Sequence, residues 1–136
     1  MTQPKLIVKK SKIHHRGVFA SEDIPKGTFI IEYTGEKITE KEAERRPDPE
    51  EGVTYLFILN AHYYIDGTKG NKSKYVNHSC DPNCKYIIKK GKILFYAKRF
   101  IKKGEELTID YAFDKKEERE LCNCGSPKCR GFMNEA

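Results

Sequence analysis

The run Asn77-His78-Ser79-Cys80-Asp81-Pro82-Asn83-Cys84 decides how this chain is read. Asn, His, Ser and Asp favour tight turns, where their side chains satisfy backbone groups. Any one of them would ordinarily be a satisfied turn residue. As a set they place donors and acceptors on a segment unsuited to regular strand, which is how polar small-molecule pockets are lined.

Working outward, Cys122, Cys124 and Cys129 stand in the order C-x-C-x4-C near the end of the sequence. Clustered thiols in a reducing setting favour zinc over disulfides. Zinc takes four tetrahedral ligands, so three cysteines need a fourth from elsewhere. Gly125 and Pro127 let the chain turn Cys129 toward the other two. Spacing leaves Cys80, Cys84 and His78 all open as the fourth ligand.

At 136 residues the chain reads as one domain with a modest core. Hydrophobic content is 38% and charged content 34%, so core surface is scarce and a metal staple would add stability. No apolar run approaches membrane-span length, and the stretch Met1 to Val8 lacks a signal-peptide core. The expectation is a soluble, intracellular protein, with nucleus and cytoplasm both open. The net charge of +6 is spread over many lysines and reads first as a solvated surface. Nucleic-acid binding stays open but lacks the arginine and aromatic clustering that would argue for it.

Short β-like runs dominate. They cover residues 28–33, 55–59, 63–65, 85–88, 92–96 and 107–111, and the fourth and fifth flank Gly91 as a hairpin. Thr39 and Glu42 make a capping box for one helix, which Pro47 stops. The stretch 114–120 reads as a helical turn or a loop. Asp23-Ile24-Pro25-Lys26-Gly27 and Phe100-Ile101-Lys102-Lys103-Gly104 echo one another as reused turn chemistry. The fold class expected is mostly β, built of several small sheets.

Two further features carry chemistry. Gly17, in His15-Arg16-Gly17-Val18, would permit a ligand close to the backbone, although a single strand glycine is more often a bulge. Tyr33, Tyr55 and Tyr111 each sit at the edge of a β-like run. Singly they read as packing residues with hydroxyls toward water, and together they would line a narrow aromatic channel.

In this order, Arg16-Gly17-Val18, Tyr33-Thr34-Gly35-Glu36, Lys74 to Asn83, Glu106-Leu107-Thr108-Ile109-Asp110-Tyr111 and the cysteine tail resemble a SET-domain protein lysine methyltransferase with a post-SET zinc segment. The resemblance runs from about His14 to Phe132. It implies a catalytic domain over 1–113 and a zinc-binding tail over 114–136. It also implies a C-terminal pseudoknot that brings Tyr111 beside Asn77 and His78. S-adenosylmethionine would be bound by His14, Arg16, Gly17, Val18, Asn77, His78 and Asn123. Zinc would be held by Cys80, Cys122, Cys124 and Cys129, leaving Cys84 as a spare thiol whose replacement is expected to be silent.

The same resemblance makes Tyr111 the catalytic tyrosine and Tyr33 and Tyr55 the walls of a lysine channel. The partner would be a protein that presents a lysine, a histone tail or another basic protein. Glu32, Glu36, Asp66, Asp110 and the stretch 114–120 are candidates for an acidic rim to receive it. Two departures stand out. His15-Arg16-Gly17 replaces a frequent Gly-x-Gly, and Ile109 replaces a frequent aromatic, which predicts methylation beyond the first step. The alternative is a non-catalytic zinc-stapled module that binds peptide or nucleic acid.

Overall fold

A computed structural model describes residues 4–13, 15–46 and 55–111, together with positions 127 and 129. Strands β1 (Leu6–Lys10) and β2 (Arg16–Ala20) form an antiparallel hairpin. Strand β3 (Phe29–Tyr33) precedes β4 (Glu36–Thr39), helix α1 (Glu40–Arg45), β5 (Leu56–Ile58) and β6 (Tyr63–Asp66). Two short 3-10 turns, Gly67–Lys69 and Lys72–Tyr75, lead to β7 (Asn77–His78). The remaining strands are β8 (Cys84–Lys89), β9 (Lys92–Ala97) and β10 (Thr108–Ile109).

The fold is mostly β. Two three-stranded antiparallel sheets, β3-β9-β8 and β4-β6-β5, and the β1-β2 hairpin are joined by a parallel pair, β7-β10. In β9 every second residue is buried, at Ile93, Phe95 and Ala97. That period of two turns one face of β3-β9-β8 inward. Val18, Ile24, Ile30, Ile101, Leu107 and Ile109 close the same core.

Local chemistry explains several elements. The β8-β9 turn has positive φ at Lys90 (52°) and Gly91 (77°), the backbone demanded by a two-residue hairpin. The Thr39 hydroxyl caps α1 by accepting from the Glu42 N–H at 3.2 Å. Glu42 itself reaches forward to Arg46 Nε at 3.2 Å, so its carboxylate supports the end of the helix. Arg46 is already extended (φ −82°, ψ 128°), as expected of a residue before proline.

The internal echo has a structural counterpart. Ile24 and Ile101 exchange both backbone hydrogen bonds at 2.8 Å, and both side chains are fully buried. Around them the bonds come in matched pairs. Gly27 N–H donates to Ala97 as Gly104 N–H donates to Ala20, and Ala97 N–H donates to Thr28 as Ala20 N–H donates to Glu105. The two turns therefore dock on each other about a local two-fold. Gly27 and Gly104 both carry the positive φ such a turn needs, 86° and 94°.

Two expectations change, and one element is new. Asn77–His78 does enter a strand, because it finds a parallel partner in Thr108–Ile109. The strand expected over 107–111 shortens to those two residues. The β1-β2 hairpin was not anticipated, since along β1 only Leu6 is buried and apolar periodicity is weak. The stretch 114–120 lies outside the described residues.

Candidate functional site

The parallel pair β7-β10 lays Thr108 beside Asn77 and Ile109 beside His78. Asn83 locks it in place. Its side chain accepts from Thr108 N–H at 2.9 Å and donates to the Glu106 carbonyl at 2.8 Å, and it is buried. The second asparagine of the Asn77–Cys84 run thus joins the run to the β10 segment, a role not anticipated from sequence.

Asn77 and His78 are both buried, and each ring or amide orientation follows from its partners. The His78 Nδ1 accepts from the Tyr111 backbone N–H at 3.0 Å. Accepting there leaves the ring proton on Nε2, which lies 3.3 Å from the Cys80 sulfur. The Asp110 carboxylate stands 3.6 Å from Nδ1. The Tyr111 ring meets the His78 ring edge-on, 5.3 Å between centroids.

The Asn77 amide nitrogen faces three acceptors: Glu106 Oε2 at 2.8 Å, the Arg16 carbonyl at 2.9 Å and Ser11 Oγ at 3.2 Å. Gly17 makes room for them. A Cβ there would stand 2.2 Å from Glu106 Oε2. Arg16 and Gly17 open β2, so the hairpin brings them to Asn77, and Val18 is fully buried beneath. Ser11 and Glu106 were not among the residues expected at the site. Ser11 looks like an ordinary polar residue until the distant strands meet, whereas Glu106 opens the segment Glu106–Tyr111 and could have been singled out there.

The Tyr111 hydroxyl donates to the Val76 carbonyl at 2.8 Å, and the Tyr33 hydroxyl donates to the Tyr55 carbonyl at 2.5 Å. Burial first, then the Glu106 charge and Tyr55, raises the Tyr111 pKa far above the ordinary phenol range. Burial first, then Tyr111, Asp66 and Tyr55, does the same for Tyr33. Both phenols therefore stay protonated at neutral pH. Tyr33 is buried against Phe57 and Phe95, at 5.0 and 6.0 Å between centroids. Tyr55 packs edge-on to Tyr75, with Lys74 Nζ 5.4 Å from its ring centre.

Two candidates for the acidic rim are tied to a cation. Arg46 bonds Glu36 at 2.8 Å and Asp66 at 2.9 Å, so one positive charge offsets part of their two negative charges. Hydrogen bonding to Arg46, then its charge, lowers the Glu36 pKa. Burial pushes Asp66 up, but bonds from Thr68 and Arg46 outweigh it and the net shift is downward.

Of the residues expected to bind zinc, Cys80 and Cys129 are half-buried, while Cys122 and Cys124 lie outside the described residues, as do His14 and Asn123. Among the described residues no cluster of three His, Cys, Asp or Glu side chains is placed to hold a metal ion. Cys84 is buried at 2% exposure, and burial pushes its thiol up to about 12. The spare thiol is thus a core residue, and burial argues against the expectation that replacing it is silent. No helix among the described residues is long and apolar enough to cross a membrane.

The chain is similar in sequence to known proteins. The chain is 44% identical over 133 residues to the H3 lysine-4 specific histone-lysine N-methyltransferase of Schizosaccharomyces pombe, covering 91% of this chain and 14% of that protein. It is 41% identical over 134 residues to the histone-lysine N-methyltransferase set-2 of Caenorhabditis elegans, covering 92% and 9%. It is 40% identical over 136 residues to the histone-lysine N-methyltransferase trithorax of Drosophila virilis, covering 93% and 4%. The chain therefore spans only a small part of the length of these curated relatives. The SET domain profile matches residues 15–112, which include the β2 glycine, the Asn77–Cys84 run and the β10 segment, and the chain belongs to the SET domain family.

Proposed function

We propose that this chain transfers a methyl group from S-adenosylmethionine to the side-chain amine of lysine in a protein substrate. One observation carries the proposal: the β7-β10 pairing brings Asn77, His78 and Tyr111 together against Arg16 and Gly17. The chemistry of this set fits the cofactor. A carboxylate, an oriented amide and aromatic rings suit a positively charged nucleoside derivative, and the missing Cβ at Gly17 suits close backbone approach. When bound, the cofactor supplies an electrophilic methyl on sulfonium sulfur.

The chain's own residues provide alignment and exclude water. Tyr111 stays a neutral phenol whose proton is engaged by the Val76 carbonyl, so it offers lone pairs to the reacting groups and does not act as a phenolate base. Tyr33 and Tyr55 wall the lysine channel. Low polarity there disfavours an ammonium and supplies the neutral amine that attacks. Ile109 brings no hydroxyl to the channel, so methylation proceeds beyond the first step.

Zinc in this reading is structural. Cys80, Cys122, Cys124 and Cys129 would hold it and fasten a tail over 114–136 to the catalytic segment 1–113, with Asn123 and His14 completing the cofactor site. The parallel placement of β10 beside β7 supports a threaded, pseudoknot-like connection. The His78 ring, between Tyr111 N–H and the Cys80 sulfur, supports coupling between the metal and the site.

The substrate reading is histone H3, at the lysine named in the relatives' descriptions, which would bring the chain to chromatin. The test is labelled-methyl transfer to histone H3, to H3 with lysine 4 replaced by arginine, and to unrelated basic proteins, with and without chelator. Salt-sensitive DNA binding with no transfer would favour the non-catalytic module instead.

A further inference from the structure

We infer that Glu106, together with Ser11, is a positioning residue that sets the orientation of the Asn77 amide for cofactor binding. The inference rests on the cofactor reading of the site and adds two residues to it. Ser11 lies ahead of the segment matched by the family profile.

The geometry carries it. Ser11 Oγ donates to the Glu106 carboxylate, 2.8 Å from Oε1 and 2.9 Å from Oε2. Ser11 is itself held, since its hydroxyl accepts from Ile13 N–H at 2.9 Å and its own N–H donates to the His15 carbonyl at 2.9 Å. The carboxylate then accepts from Asn77 Nδ2 at 2.8 Å, beside the Arg16 carbonyl at 2.9 Å. The Glu106 backbone is pinned as well, bridged to Phe19 in β2 and accepting from the buried Asn83 side chain at 2.8 Å.

An amide has one donor end and one acceptor end. Turning Asn77 over would press its carbonyl oxygen against a carboxylate and a backbone carbonyl, three acceptors with no proton between them. One orientation is therefore imposed, with Nδ2 on the acceptors and Oδ1 directed away from them. A ligand meets an acceptor already set in place, which lowers the ordering cost of binding. Gly17 belongs to the same device, because the carboxylate occupies the space its side chain would need.

Glu106→Gln keeps the shape but can offer either a donor or an acceptor, so the lock on Asn77 is released. Two measurements decide the matter. The first is calorimetric binding of S-adenosylhomocysteine to the full chain, to Glu106→Gln, to Asn77→Ala and to the double variant. Glu106→Gln should weaken binding about tenfold, as for loss of a hydrogen bond to a charged group, and should add little once Asn77 is already alanine. The same loss in both backgrounds, or no loss at all, overturns the inference.

The second measurement needs no ligand. The Asn77 side-chain amide signals in a nitrogen-15 correlation spectrum, identified by their absence in Asn77→Ala, should shift in both Glu106→Gln and Ser11→Ala. Unmoved signals overturn the clamp. Failure of the unaltered protein to bind S-adenosylhomocysteine would overturn the cofactor reading and the positioning role that rests on it. The amide signals would then still show whether the clamp itself exists.

Discussion

The Tyr111 backbone N–H donates to Nδ1 of His78 at 3.0 Å, and the far nitrogen of the same ring lies 3.3 Å from the Cys80 sulfur. One imidazole thus stands between the chain that carries the Tyr111 hydroxyl and a cysteine of the proposed zinc site. Anything that moves the Cys80 sulfur is felt at His78, whose ring also packs on Tyr111.

Cys80→Ser should accordingly weaken S-adenosylhomocysteine binding, lower zinc content and lower the melting temperature together. Zinc per chain, calorimetric affinity and thermal unfolding of the variant check this. Full zinc content with unchanged affinity would remove Cys80 from the ligand set.

Cys84→Ser should behave differently. The thiol is buried and points to the Asn83 side-chain oxygen, Oδ1, at 3.3 Å. A hydroxyl can keep that bond, but its extra polarity in the core costs about 1 kcal/mol. Zinc content should stay at the wild-type level while stability falls. Cys84 should also resist thiol reagents at neutral pH, because its thiolate is suppressed.

Tyr111→Phe removes the hydroxyl bonded to Val76 and leaves the ring against His78. Methyl transfer should fall about a hundredfold or more, as for loss of one oriented group at a reacting centre, while cofactor affinity changes little. Turnover assays beside calorimetry separate the two. Normal turnover would withdraw Tyr111 from the chemistry.

Gly70→Ala tests a packing constraint near the tyrosines. A Cβ at Gly70 would lie 2.1 Å from the Thr34 carbonyl oxygen, which is backbone and cannot swing aside. Asn71 N–H and Nδ2 tie the next residue to Thr34 and Glu32. Overpacking here should cost about 1–3 kcal/mol in denaturant unfolding.

The Arg46 network predicts an acid signature. The folded-state pKa values of Glu36 and Asp66 lie below their usual values. Their contribution is therefore present above about pH 4, the range of an unperturbed carboxyl, and is lost as pH falls through the folded values. Arg46→Met should be less stable than the parent at pH 7, and the gap should close under acid. Melting temperatures of both proteins from pH 7 to pH 3 measure it. A constant gap would mean the network contributes no charge-dependent stability.

Much of the local structure was legible in the residues. Thr39 caps α1, Lys90-Gly91 turns the β8-β9 hairpin, and Gly27 and Gly104 supply matching turns, because each depends on neighbours within a few positions. The Asn77–Cys84 run and the Asp110-Tyr111 pair identified the family for the same reason, as each is a contiguous string. The β1-β2 hairpin was not legible, since its apolar pattern is faint on a strand with one buried residue.

By itself, then, the sequence determined which turns, caps and motifs exist and the family they belong to. The tertiary structure alone decided their partners. It gave Asn77 to Glu106 and Ser11, paired Asn77–His78 in parallel with Thr108–Ile109, placed Cys84 in the core, and tied Glu36 and Asp66 to Arg46. The physical reason is separation along the chain. Those contacts join residues far apart in sequence, and local propensity says nothing about which distant donor will meet which acceptor until the sheets pack.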